Sequence, residues 1–261
     1  MRVQDFGRID QPAFLLGGLY SNIQATEALV KLVDDSPAIC TGDVVGYGAN
    51  PSETVALIRA RGWPVVAGNC ERQIAAGADD CDCGFGAQTV CERLSTDWYP
   101  FAKRKISEVD RQWMNSLPDI GLFSHLDRRF AVIHGGVTSI NRYLWPSSAD
   151  AEFEYEIAAL EAKIGQVDGI VAGHSGITFH RRIGRHQWIN AGAIGLPPHD
   201  GRPETRFARF DNGEVTFERL CYDHDAAMSA MMHAGLTQGY HQSLATGIWP
   251  SEEMLPPELR R

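Results

Sequence analysis

An α/β fold built around a largely parallel sheet is what this sequence predicts, on three observations. Short apolar segments alternate along the chain with stretches of helical periodicity, as in repeated βαβ units. Several of these segments run into glycine beside a potential metal ligand: Gly42-Asp43, Gly68-Asn69, His134-Gly135-Gly136 and Gly173-His174. In α/β folds the ligand site forms beyond the carboxyl ends of the strands. Loops there can bring Asp43, Asn69, His134 and His174 to one spot.

Taken in order, Ala13–Gly17 is short, apolar and closed by glycine, a buried strand running into a loop. Ala25–Val33 has apolar positions at helical spacing. Ala38–Thr41 reads as a second strand. Ser52–Arg61 reads as a helix with Ser52 as its N-cap and Glu53 in its first turn. Pro64–Ala67, Phe130–Ile133 and Gly169–Ala172 follow as strands. Trp188–Asn190 and Arg206–Asp211 are late strands, the latter closed by the hairpin signal Asp211-Asn212-Gly213. Residues 72–125 read as an insertion between two strands, its second half (Ser107–Leu117) helical. From about residue 222 the chain reads as a helix and a loosely packed C-terminal arm on a single domain spanning 1–261.

The bulk numbers bound the function. At 261 residues, 44% hydrophobic and 22% charged, the chain is ordinary for a globular protein. A formal net charge of −9 argues against coating nucleic acid, which needs clustered Lys and Arg. It leaves room for a small phosphorylated substrate or nucleotide if a bound ion supplies local positive charge. The N-terminus has no basic segment followed by a long apolar run, and no stretch approaches about 18 consecutive apolar residues. The expectation is a cytoplasmic protein with no membrane contact. Oligomeric state is not legible.

One carboxylate, one amide and two imidazoles form an N/O set for a divalent ion, with Mn, Fe, Zn and Ni not distinguished by the residues. Such an ion lowers the pKa of bound water to about 7 and holds phosphoryl oxygens. Here the chain resembles the calcineurin-like metallophosphoesterases of bacteria and archaea. GDVVGYGANPSETVALI (Gly42–Ile58) resembles their second motif and following helix. VVAGNCE (Val65–Glu71) resembles their Gly-Asn-His-Asp/Glu motif, and VIHGG (Val132–Gly136) their lone-His motif. VAGHSGITFHRRIGRHQWINAGAIGLP (Val171–Pro197) resembles their Gly-His-x-His motif and the turn beyond it. RQWMNSLP (Arg111–Pro118) resembles a segment of longer members. The likeness spans residues 13–215 in order and spacing.

The resemblance implies a four-layer αββα sandwich, two mixed β-sheets face to face and flanked by helices. It implies hydrolysis of a phosphomonoester or phosphodiester. Asp43 would bridge two ions, with Asn69, His134 and His174 completing the shell of the second. The departures are equally specific. The family opens with Asp-x-His-Gly-Asn, but this chain has Gly18-Leu19-Tyr20-Ser21-Asn22. The second His of Gly-His-x-His is Gly176, and the motif His that serves as acid or substrate clamp is Cys70. The first ion thus keeps only Asp43, and the catalytic set reduces to His134, Cys70 and Asn69. Tyr20 either lines the pocket or gives a phenolate to a ferric ion. Asn22 and Asn190 either orient loops at the site or stabilise turns.

Cys70, Cys81, Cys83 and Cys91 crowd one region. Soft thiolates select zinc or an iron–sulfur centre, yet the spacing is not that of a zinc ribbon. A thiol-held metal, a redox role and unlinked thiols stay open. Three functions follow: a hydrolase with one intact metal site, a catalytically silent binding protein, and a thiol-metal or redox protein on the same scaffold.

Overall fold

The computed structural model of the chain describes residues 1–84 and 90–261, leaving aside the side chains of residues 90–92. Its elements in order are β1 (Val3–Arg8), β2 (Ala13–Leu16), α1 (Ile23–Val33), β3 (Ala38–Cys40), α2 (Pro51–Arg61), α3 (Asn69–Ala76), α4 (Val90–Lys105) and α5 (Glu108–Ser116). Then come β4 (Ile120–His125), β5 (Arg128–Val132), α6 (Asp150–Ile164), β6 (Gly169–Ala172), β7 (Thr178–Ile183), β8 (His186–Ala191), β9 (Thr205–Asp211), β10 (Glu214–Leu220), α7 (His224–His233) and α8 (Tyr240–Thr246).

The strands form a six-stranded sheet, β1-β4-β5-β6-β8-β7, and a four-stranded sheet, β10-β9-β2-β3. Both are mixed: β5, β6 and β8 run parallel while β4 and β7 run antiparallel to their neighbours β5 and β8. β2 pairs parallel with β3 and antiparallel with β9.

Period-two alternation sets the layers, because successive strand residues face opposite sides. In β2, Leu15 faces the other sheet together with Ile39, Phe130, Val132, Val171, Ile189 and Phe210. Its neighbours Phe14 and Leu16 face α1 and α2, against Leu29, Val33, Val55 and Ile58. In β5 and β6, Ala131, Ile170 and Ala172 turn instead to Phe153, Ile157 and Leu160 of α6. Three apolar seams therefore separate four layers, two mixed sheets flanked by helices. Truncating a central residue such as Phe130, fully buried, would cost about 3–5 kcal/mol.

Several expectations need correction. Ser52 is not the cap of α2. Pro51 takes the first helical position, where its missing N–H costs nothing, and Asn50 is the cap residue. The Ser52 hydroxyl instead donates to the Lys105 carbonyl at 2.7 Å. Pro64–Ala67 makes only a bridge, Cys40 to Val65, because Ala67 N–H donates to the Pro118 carbonyl and the chain then turns into α3. Residues 120–125 are not insertion but the sheet strand β4, between β1 and β5. The C-terminal arm is not loose: Ala227, Met231, Tyr240, Leu244, Trp249 and Leu255 join the seam against the smaller sheet. No helix among the described residues is long and apolar enough to cross a membrane.

Candidate metal centre

Four loops at the carboxyl ends of β3, β5, β6 and the Val65 bridge deliver the site. His134 is its hub, 2% exposed. Its Nδ1 lies 2.7 Å from the Thr41 carbonyl oxygen, which can only accept, so this nitrogen carries the proton. The Nε2 lone pair then faces Asn69 Oδ1 at 3.0 Å, His174 Nδ1 at 2.9 Å and Asp43 Oδ2 at 3.3 Å. The Asn69 amide cannot flip freely, because its Nδ2 donates to the Cys81 carbonyl at 2.8 Å. Four potential ligand atoms thus point inward, and His134 Nε2 is the one among them that can also carry a proton.

Converging lone pairs repel one another unless a proton on His134 Nε2 or a cation at the centre sits between them. Ligand atoms held at about 2.0–2.2 Å from one ion lie roughly 3.0–3.5 Å apart, close to the observed spacings. Asp43, His134 and His174 offer ligand atoms all within 4.8 Å of one another, so the donor set fits a divalent transition ion.

Protonation follows the same crowding. For Asp43, burial favours the neutral acid, but the neighbouring His134 outweighs it and holds the carboxyl below the usual carboxylate range. For His134, burial opposes charging, yet Asp43 beside it carries the imidazole above its ordinary value. His174 is pushed down to about 3, by burial first and then by the charge on His134.

Asp43 itself has a left-handed backbone, φ 55°, a conformation that costs a non-glycine residue about 1–3 kcal/mol and clusters at functional sites. Glu71, fully buried, holds it. Its Oε2 accepts from Asp43 N–H at 2.7 Å and Gly68 N–H at 2.8 Å, and its Oε1 from Val45 N–H at 3.2 Å. Burial, then the charge of Asp43, push the Glu71 carboxyl up to about 7. Sequence reasoning did not single out Glu71. Its signal was the last position of the Gly68–Glu71 motif.

The other singled-out residues surround this centre. Cys70 is buried; its N–H donates to Asp43 Oδ1 at 3.2 Å, and burial pushes its thiol well up. Asn22 caps α1 through its Oδ1 and donates to the Gly195 carbonyl at 3.1 Å, so it both caps and ties two loops. Asn190 donates to Ser175 Oγ at 2.9 Å, next to His174. Tyr20 is buried, and burial, then Asp43, push its phenol well up, which disfavours a phenolate ligand. Its ring fills space: a Cβ on Gly18 would lie 2.3 Å from Tyr20 Cε1. On the opposite side a Cβ on Gly176 would meet the Trp249 ring at 3.5 Å.

Cys70, Cys81 and Cys83 form no group of three at ligand spacing among the described residues. Among the described residues, the only group of three or more His, Cys, Asp or Glu at ligand spacing is Asp43, His134 and His174. Cys81 contributes its carbonyl to Asn69, Cys83 is half-buried, and the Cys91 side chain lies outside the described residues. Arg181 and Arg185 do not face the site either. They bind Ser148 and Asp150, and Glu161 and Val167, and pin α6 and the loops at its ends.

The description "Calcineurin-like phosphoesterase superfamily domain" matches residues 19–213, and the chain belongs to that superfamily. An uncharacterized protein of Methanocaldococcus jannaschii is 25% identical over 240 residues, 81% of this chain and 87% of that protein. A metallophosphoesterase from Sphaerobacter thermophilus shares the fold at TM-score 0.72, with 21% identity over 92% of this chain and 100% of that one. A hypothetical protein from Pyrococcus horikoshii OT3 does so at TM-score 0.76, with 15% identity over 90% and 98%.

Proposed function

We propose that the chain is a metal-dependent phosphoester hydrolase, acting on a small phosphomonoester or phosphodiester from one metal half-site. The observation that carries this reading is the convergence of Asp43, Asn69, His134 and His174, with four potential ligand atoms facing inward. Asp43, Asn69, His134 and His174 would hold a divalent ion, which would supply polarisation of phosphoryl oxygens and an acidified water. His134 has Nδ1 committed to Thr41 and Nε2 facing the candidate ligand set, so with an ion bound both nitrogens would be occupied. It therefore positions rather than shuttles protons. Cys70, neutral because its thiol is pushed up, is a donor beside Asp43. The Tyr20 hydroxyl, held protonated by burial, is a second donor suited to an anionic phosphate.

The opposite half is packed rather than open. Where the superfamily resemblance implies an acidic and two histidine ligands, Gly18, Tyr20 and Gly176 stand, with the Tyr20 ring and Trp249 in the space. This packing favours a second reading, a catalytically silent relative that keeps one ion for binding. Turnover of an aryl phosphodiester with added Mn(II) separates the two. The hydrolase reading expects turnover that His134→Ala reduces at least about 100-fold. Equal rates in both proteins would sink it, and no turnover in a metal-loaded wild type would leave the silent reading.

A further inference from the structure

The pocket beside His174, lined by Tyr20, Tyr143, Gly176, Trp249, Ser251 and Met254 among others, has a volume of about 20 Å³. That is room for one or two waters. Ligand pockets run to roughly 300–1,000 Å³, so no phosphoester reaches the ion site through this pocket as it stands. What closes it is the chain after α8. Trp249, 9% exposed, lies over Gly176, and Pro250, Ser251 and Met254 complete the cover.

This cover is held by Leu255, 1% exposed in the core seam, by a hydrogen bond between Glu258 and the Ser147 side chain, and by a cluster of polar ties at residues 197–199. Trp249 N–H donates to His199 Nδ1 at 2.8 Å, its indole N–H to the Pro197 carbonyl at 2.6 Å, and Glu252 pairs with His199 Nε2 at 2.7 Å. Arg261 Nε donates to the His199 carbonyl at 3.0 Å. These four polar ties end on residues 197–199, and the segment forms no β-pairing with either sheet. It departs from α8 at Gly247, φ +69°. Within it one buried polar atom, Ser251 Oγ, has no partner. A buried group left so costs about 1–3 kcal/mol, so the closed cover is not fully satisfied.

We propose that residues 248–261 are a displaceable plug, with Trp249 as stopper and the His199–Glu252 pair as clasp, and that ion and phosphorylated ligand enter only when the segment swings out about Gly247. The proposal takes from the hydrolase reading only what lies beneath the plug.

Hydrogen exchange on the full chain, read by mass spectrometry, tests the plug without needing an ion or turnover. Amides of residues 249–256 should exchange at least about 100-fold faster than those of β2, through local opening. Glu252→Gln should speed them about fivefold more. In protein loaded with Co(II), release into a chelator should accelerate by a similar factor in Glu252→Gln, and further in Trp249→Ala. Exchange of 249–256 as slow as β2 in both wild type and Glu252→Gln would overturn the plug. So would faster opening with unchanged Co(II) release. A chain that opens at 249–256 yet binds no Co(II) would support the plug and defeat the hydrolase reading.

Discussion

The two sides of the site are built from the same loops and come to opposite ends. On one side the chain gives up backbone comfort at Asp43 and buries Glu71 to hold it, so that four potential ligand atoms meet at 2.9–3.3 Å. On the other, Gly18 and Gly176 carry no side chain, and aromatic rings take the volume. The lesson is about what each kind of packing tolerates. Converging lone pairs need a proton or a cation between them and many fixed partners. A ring needs only space, which glycine provides.

The largest expected effect breaks this contrast at its strong side. Asp43→Asn should weaken ion binding on the order of 100-fold or more, since even partners beyond the ligands cost 10–100-fold. Tyr20→Phe should leave ion content unchanged. Metal per chain by mass spectrometry reads both, and equal losses would erase the distinction between the two sides.

A reconstruction sharpens it. Gly18→Asp alone forces a side chain into the Tyr20 ring and should destabilise by about 1–3 kcal/mol. The triple variant Gly18→Asp, Tyr20→His, Gly176→His removes that ring and restores the implied ligands, and ion content should rise from about one toward two per chain. The left-handed φ at Gly176, +69°, sets a cost of about 1–2 kcal/mol on that step. An unchanged content would mean that the aromatic side is closed for reasons other than these three residues.

The titrations differ in sign as well, in the metal-free protein. His174 has a folded value of about 3 against 6.5. Its stabilising contribution is present above pH 6.5 and is lost as pH falls, at roughly 1 kcal/mol per pH unit. Glu71 has a folded value of about 7 against 4.5. Its contribution is present below pH 4.5 and is lost as pH rises through 7. Between pH 6.5 and 4.5 the two slopes oppose. His174→Gln should therefore gain relative stability on acidification, and Glu71→Gln should lose it more steeply than wild type. Denaturant midpoints across that window check this, and slopes moving together would contradict the assignment.

The smallest effect lies at Cys81. Its carbonyl, not its thiol, orients Asn69. Cys81→Ser should change ion affinity no more than about twofold, while Asn69→Ala should lower it by 10-fold or more. A large loss in Cys81→Ser would reinstate the thiol as a participant.

Much of this was legible in residue order alone. Ala13–Leu16, Phe130–Val132 and Gly169–Ala172 are unbroken short apolar runs, which marks them as strands buried on both faces. The loop ligands Asp43, Asn69, His134 and His174 stand after apolar strands and could be named as one set. β1 and β4 were not visible, because Val3–Arg8 is exposed on both faces and Ile120–His125 mixes Gly, Ser and His among its apolar residues. Only the tertiary structure decided that Glu71 is the anchor of Asp43, because three N–H groups from separate places in the loops meet one carboxylate. Only it showed the Tyr20 ring beside Gly18 and Trp249, more than 70 residues on in sequence, above Gly176. Local sequence sets which residues face a core or end a strand. Which side chain fills a gap depends on contacts between distant segments, and no local pattern encodes those.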